Sequence, residues 1–178
     1  MEIIKTSIEG LVVIQPKLVE DERGYFMESY KENFIKENFP DIHFIQDNEV
    51  YSRRGVIRGL HFQKGKNAQA KLVRVTQGNI IDIVVDLRPS SSTYMQSFRI
   101  ELSVENKQQL FVPKGFAHGY AVISESATVL YKVDAPYAPE AEGGLSPCDP
   151  YFSFDWGVPT AQQQINERDL NWPKHVKA

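Results

Sequence analysis

Three residue types that can move a proton beside a carbonyl stand in segments that read as strands. His61 lies near the end of GVIRGLHFQ, Lys71 opens KLVRVTQ, and Tyr131 lies in ATVLYKV. Such chemistry needs a base near the carbon, an electropositive group for the developing enolate oxygen, and an acid that returns a proton to the other face. Histidine suits the base, because its unperturbed pKa of about 6.5 lies near physiological pH. Lysine suits the enolate and tyrosine the acid. A second histidine, His118, follows a Pro-Lys-Gly turn in FVPKGFAHGY. A lone strand histidine is more often structural, but two near strand ends, with Arg58 and Lys71 close in sequence, weigh toward a site.

Strand geometry decides which of these can meet. Alternate residues share a face, so Lys71 points with Val73 and Val75, and Tyr131 with Val129 and Val133. If the valines face the core, an ammonium sits at the mouth of an apolar barrel, which is costly unless it is paired or lines a site. The alternative turns Leu72, Arg74 and Thr76 inward and leaves Lys71 in water. A strand tyrosine such as Tyr131 also packs readily with its hydroxyl bonded elsewhere. Strict alternation puts Arg58 and His61 on opposite faces; a bulge at Gly59 would re-aim one of them.

A metal site is the competing use of the histidines. Pro113-Lys114-Gly115-Phe116-Ala117-His118 resembles the second motif of metal-binding cupins. The first motif, a His-x-His pair plus a glutamate, is missing: Gln63 stands two after His61, no glutamate lies between Lys64 and Ala70, and Lys71 then adds a positive charge. A transition metal needs three or four protein ligands, so the expectation is no metal.

The elements that must position these side chains are short and rich in β-branched and aromatic residues. LVVIQ, RGYFMESY, VIRGLHFQ, KLVRVTQ, NIIDIVVDL, SFRIEL, QLFVP, GYAVI and ATVLYKV read as strands, separated by turn signals such as Gly78-Asn79 and Arg88-Pro89-Ser90. Many closely spaced short strands predict a sandwich or barrel. YKENFIKENFP predicts one helix, with Tyr30, Phe34, Ile35 and Phe39 as its apolar positions and Pro40 as its end. The proline-rich stretch after about Pro136 contains Trp156 and Trp172, and reads as an ordered wrapping segment with short helical turns.

Composition narrows the function classes. The 178 residues suffice for one domain, 1–178, and no internal boundary shows. A formal net charge of -3 leaves no basic surplus for a nucleic-acid backbone. The single cysteine, Cys148, can form neither an intrachain disulfide nor a Cys-based zinc site. No apolar run approaches the roughly 20 residues that span a bilayer, and MEIIKTSIEG does not read as a signal peptide, so the expected location is the cytoplasm, with no membrane partner.

GVIRGLHFQ, AQAKLVRVTQGNIIDIVVDLR, FVPKGFAHGYAV and LYKV, in this order and spacing, resemble the dTDP-4-dehydrorhamnose 3,5-epimerase family. RGYFMESY, the QDN of Gln46 to Asn48, and INERDLNWP extend the resemblance over nearly the whole chain. It implies an all-β, antiparallel jelly roll, cupin-like, with a few short helices; a homodimer with N-terminal strand exchange; and no cofactor. The implied substrate is dTDP-4-dehydro-6-deoxy-D-glucose and the product dTDP-4-dehydro-L-rhamnose. Carried over by residue, His61 matches the general base, Asp169 its carboxylate partner, Lys71 the group facing the keto oxygen, and Tyr131 the general acid. Arg23, Glu28, Gln46, Asp47, Asn48, Arg58, His118, Glu142 and Arg168 match substrate-contacting positions, Tyr137 resembles the aromatic that stacks on thymine, and Phe26 is expected to reach the partner's site. Arginine suits a pyrophosphate because its planar fork donates paired hydrogen bonds.

Three rivals stand beside this expectation: a relative that inverts one carbon only, a keto-isomerase of the same nucleotide sugar, and a non-catalytic nucleotide-sugar-binding cupin. The last would keep Tyr137 and the arginines without needing His61, Lys71 and Asp169 together.

Overall fold

A computed structural model describes residues 1–175. In chain order the strands are β1 (Glu2–Lys5), β2 (Val12–Gln15), β3 (Leu18–Asp21), β4 (Gly24–Met27), β5 (Gln46–Arg53), β6 (Ile57–Gln63), β7 (Lys71–Gln77), β8 (Asn79–Asp86), β9 (Ser97–Ser103), β10 (Gln109–Val112), β11 (Phe116–Val122), β12 (Ser126–Val133) and β13 (Glu142–Gly144). The helices are α1 (Glu32–Asn38) and α2 (Glu167–Leu170). One sheet runs β1-β2-β10-β7-β12-β5, the other β13-β6-β11-β8-β9, and β3 pairs with β4 in a ribbon of its own. The ladders between these strands are antiparallel. The all-β, cupin-like expectation holds.

Alternation explains how each sheet buries both faces. On β8, Ile80 and Val84 point between the sheets, where they meet Val73, Val75, Leu110 and Val129 of the opposing sheet. Ile81, Ile83 and Val85 point outward and are covered by Leu145, Trp156 and Val158. A strand buried on both sides must read as a near-continuous apolar run, as NIIDIVVD does. The outer face of the larger sheet offers Val12, Ile14, Leu72 and Phe111, against which Ile35 of α1 packs and Phe39 stacks at 4.0 Å between ring centroids.

The segment after residue 136 is the ordered wrap that its aromatics predict. Short 3-10 turns occupy Pro139–Ala141 and Thr160–Gln162. Trp156 is buried with its indole N–H donating to the Pro147 carbonyl at 3.0 Å. The Ile57 N–H donates to the Gln164 carbonyl at 3.0 Å, and the Gln164 N–H to the Gly55 carbonyl at 2.8 Å, which ties this segment to the start of β6.

Sequence patterning missed β1, β3, β5 and β13. The largest of these, β5, reads QDNEVYSR and exposes most of its residues at the sheet edge, so it lacks the apolar period that marks a strand.

Candidate active site

The site begins with a break in β6. Along β11, His118 pairs with His61 and Tyr120 with Arg58, so a step of two residues faces a step of three. This is the bulge expected at Gly59, and it turns Arg58 and His61 toward the same cavity. Gly59 has φ +117°, a region that favours glycine, and its peptide to Leu60 is cis. A Cβ at Gly59 would lie 2.5 Å from the Gly119 Cα and 2.7 Å from the His118 carbonyl oxygen, so glycine is required by close approach as well.

The bulge also meets the short helix α2. Asn166 caps it by accepting the Asp169 N–H at 2.7 Å, which presents the fully buried Asp169 carboxylate to β6. Asp169 Oδ2 accepts the Gly59 N–H at 3.1 Å, and Oδ1 lies 2.7 Å from His61 Nε2. Burial alone would raise the Asp169 carboxyl, but the His61 bond, the Gly59 N–H and the charge of Arg168 outweigh it and hold the group below its ordinary value. An ionised carboxylate accepts only, so a neutral His61 donates from Nε2 and keeps its lone pair on Nδ1. Arg168 Nε lies 3.5 Å from Asp169 Oδ1.

Lys71 and Tyr131 come from the opposing sheet. Lys71 pairs with Val133 and Tyr131 with Val73, and Val73, Val75 and Val129 are all buried between the sheets. The valines therefore face inward, and the reading that left Lys71 in water is set aside. Burial pulls the Lys71 ammonium down to about 8, against Asp82 and Glu142, which favour the charged form. Tyr131 is raised by burial, with Arg58 pulling the other way.

These four residues, with Arg58, His118, Tyr137, Glu142 and Arg168, line one cavity of about 300 Å³. His118 is buried, its Nε2 2.9 Å from Asp82 Oδ2. At the rim, the Tyr137 hydroxyl donates to Glu142 Oε2 at 3.0 Å, which raises its pKa, and Arg168 Nη1 holds the same carboxylate at 3.2 Å. Among the described residues, no three His, Cys, Asp or Glu side chains are grouped to hold a metal ion. A histidine held by a carboxylate, a half-buried ammonium and a half-buried phenol around one cavity are groups that could serve proton transfer beside a ketone.

A family model described as dTDP-4-dehydrorhamnose 3,5-epimerase matches residues 5–176. The chain belongs to this family. A dTDP-4-dehydrorhamnose 3,5-epimerase of Methanothermobacter thermautotrophicus is 46% identical over 170 residues, which cover 95% of this chain and 91% of that one. The crystal structure of the dTDP-4-dehydrorhamnose 3,5-epimerase of Elizabethkingia anophelis superposes with a TM-score of 0.94 at 46% identity, covering 98% of this chain and 96% of that one. A Legionella pneumophila dTDP-6-deoxy-D-glucose-3,5-epimerase, solved in complex with dTDP-4-keto-L-rhamnose, gives a TM-score of 0.89 at 39% identity and covers 99% of each chain.

Six of the residues that resemble epimerase substrate contacts do not line the cavity within one chain. Arg23, Phe26 and Glu28 lie on or just after the β3–β4 ribbon, where Arg23 pairs with Asp21 and Phe26 is 67% exposed. Gln46, Asp47 and Asn48 lie on edge strand β5; Gln46 donates to Asn48 and Asp47 pairs with Lys132. Conversely, Gln63, Gln69, Tyr120 and Asn166 line the cavity without having been singled out, and Asp82 supports His118 from below. Two of these were readable. Tyr120 stands two after His118, on the same strand face, and Asp82 shares the inward face of β8 with Ile80 and Val84, where a carboxylate is out of place unless it has a task.

Proposed function

We propose that the chain epimerises both carbons flanking the 4-keto group of dTDP-4-dehydro-6-deoxy-D-glucose, giving dTDP-4-dehydro-L-rhamnose, within a single 1–178 domain. The observation that carries the reading is the convergence of His61–Asp169, Lys71 and Tyr131 on one cavity from strands of both sheets and from α2. In this reading His61 removes the proton beside the ketone and becomes imidazolium, stabilised by Asp169. Lys71 holds the enolate oxygen while it carries charge. Tyr131 returns a proton to the other face and is left as phenolate. Proton loss and return leave the oxidation level unchanged, so the step is written without a redox cofactor. His61 and Tyr131 must then exchange protons with solvent before the second carbon is inverted.

Arg58, His118, Arg168 and Glu142 are assigned to the pyrophosphate and sugar, and Tyr137 to the base. The working form is a cytoplasmic homodimer in which the β3–β4 ribbon crosses to the second copy. Val19, Tyr25 and Phe26 are exposed on that ribbon, which supports such an exchange. Arg23, Phe26 and Glu28 would then complete the partner's site beside its β5, where Gln46, Asp47 and Asn48 stand. Among the described residues, no helix is long and apolar enough to cross a membrane.

The test is proton NMR of the protein with this substrate in deuterated water, with a chelator present. Deuterium entering at both flanking carbons is the expected result; entry at one carbon indicates a single-carbon epimerase, and no entry indicates a binding protein or a different sugar nucleotide as substrate. His61→Ala should abolish exchange. Tyr131→Phe should retain exchange and lose inversion, and full inversion in that variant removes Tyr131 as the acid.

A further inference from the structure

Tyr137 is 56% exposed at the cavity rim, on the loop after β12. Loop residues on a surface are ordinarily mobile, yet the backbone on both sides of this ring is held by one buried amide. Gln63, 6% exposed at the end of β6, donates from Nε2 to the Pro136 carbonyl at 3.1 Å and to the Asn67 carbonyl at 2.6 Å. Its Oε1 accepts the Ala138 N–H at 2.7 Å. Pro136 and Ala138 flank Tyr137, so the two ends of the carboxamide bracket it. Gln69 extends the hold by donating to the Ala135 carbonyl at 2.6 Å. At the far end of the ring, the hydroxyl is tied to Glu142.

A carboxamide carries a donor and an acceptor on one planar group, which is what this bracket uses. Gln63 also occupies the place where a metal-binding cupin would put the second histidine of its pair. Here that position serves the loop instead. A ring fixed before binding has already lost the freedom that stacking would otherwise cost.

We propose that Gln63 is a positioning residue for nucleotide recognition, holding the Tyr137 ring as a preset platform for the base of the substrate. The inference rests on the assignment of Tyr137 to the base given above.

The experiment is a double-mutant cycle on dTDP binding by calorimetry, using the full chain, Tyr137→Ala, Gln63→Met and the double variant. Stacking of a base on an aromatic ring sets the scale, so each single change should weaken dTDP about tenfold. The double variant should bind no more weakly than Tyr137→Ala alone. In Gln63→Met the loss should fall on KM rather than on kcat for deuterium exchange. If Gln63→Met does not fold, Gln63→Glu enters the same cycle, since it keeps the shape and the acceptor oxygen and loses the amide donor. Unchanged dTDP affinity in the Gln63 variant, or an effect that adds in full to that of Tyr137→Ala, overturns the bracket. Unchanged affinity in Tyr137→Ala removes the base-stacking assignment itself, and this inference with it.

Discussion

Replacing Asp169 with Asn tests the proposed base more sharply than removing His61, because it changes one atom and one charge. The carboxylate accepts two hydrogen bonds, from the Gly59 N–H at 3.1 Å and from His61 Nε2 at 2.7 Å. An asparagine has one acceptor. If its oxygen serves Gly59, its NH2 faces His61 Nε2, draws the lone pair there and leaves the proton on Nδ1, the wrong tautomer for the base. If its oxygen serves His61, two donors face each other at Gly59. A hydrogen bond to a charged group is worth about 1.5–3 kcal/mol, and an unsatisfied buried donor costs about 1–3 kcal/mol. Restoring the productive tautomer costs the first of these, roughly ten- to a hundredfold at 1.36 kcal/mol per decade of rate, whereas the second falls on stability and not on rate. Because Asp169 is held below the ordinary carboxylate range, it stays ionised at neutral pH, and the loss should persist across the neutral and alkaline range. The assay is the initial rate of deuterium entry into the substrate, with calorimetric dTDP binding as the check that the fold survives. A loss under tenfold in a variant that still binds dTDP would refute the tautomer argument.

Three further outcomes are expected. With the Lys71 ammonium pulled down to about 8, its charge is present below that pH and lost above it, so the exchange rate should fall on an alkaline limb near 8; Lys71→Arg should remove the limb even if it slows the reaction, and an unchanged limb would exclude Lys71 as its source. Buried Asp86 is held well below the carboxylate range by Arg88, Ser91 and Thr93, which overcome the opposing effect of burial. Its folded pKa is lowered, so its stabilisation is present above the unfolded value of about 3.9 and lost as pH falls toward the folded one; the gap in Tm between wild type and Asp86→Asn should narrow as pH drops from 7 toward 3, and a constant gap counts against the linkage. Gly59→Ala combines an unfavourable φ with close overlap on Gly119 and should cost at least about 2 kcal/mol in urea unfolding.

How much of this was legible depended on whether a residue obeyed its strand. Lys71 and Tyr131 could be placed because KLVRVTQ and ATVLYKV keep their period, and the inward valines then decide which way the polar residue points. His61 and Arg58 break the period, and Gly59 gave the reason in advance, since a glycine inside a strand is a common mark of a bulge. Asp169 had no local signal: ERDL is an ordinary polar turn, and only the family resemblance joined it to a histidine 108 positions earlier. The edge strands were illegible for a related reason. β5 faces little of the core, and β13 reads EGG with almost no side chain to pattern.

That separation of 108 positions has a kinetic meaning. Contacts between residues far apart along the chain pay their loop-closure cost before they return any stabilisation, and folds dominated by them form slowly. In the native fold His61 and Asp169 meet where the segment after β13 crosses back over β6. During recovery from denaturant, regained turnover should therefore trail the regained β-sheet signal. The reaction would then serve as a clock for the final docking of the wrap, reporting a step that spectroscopy of the sheets cannot see.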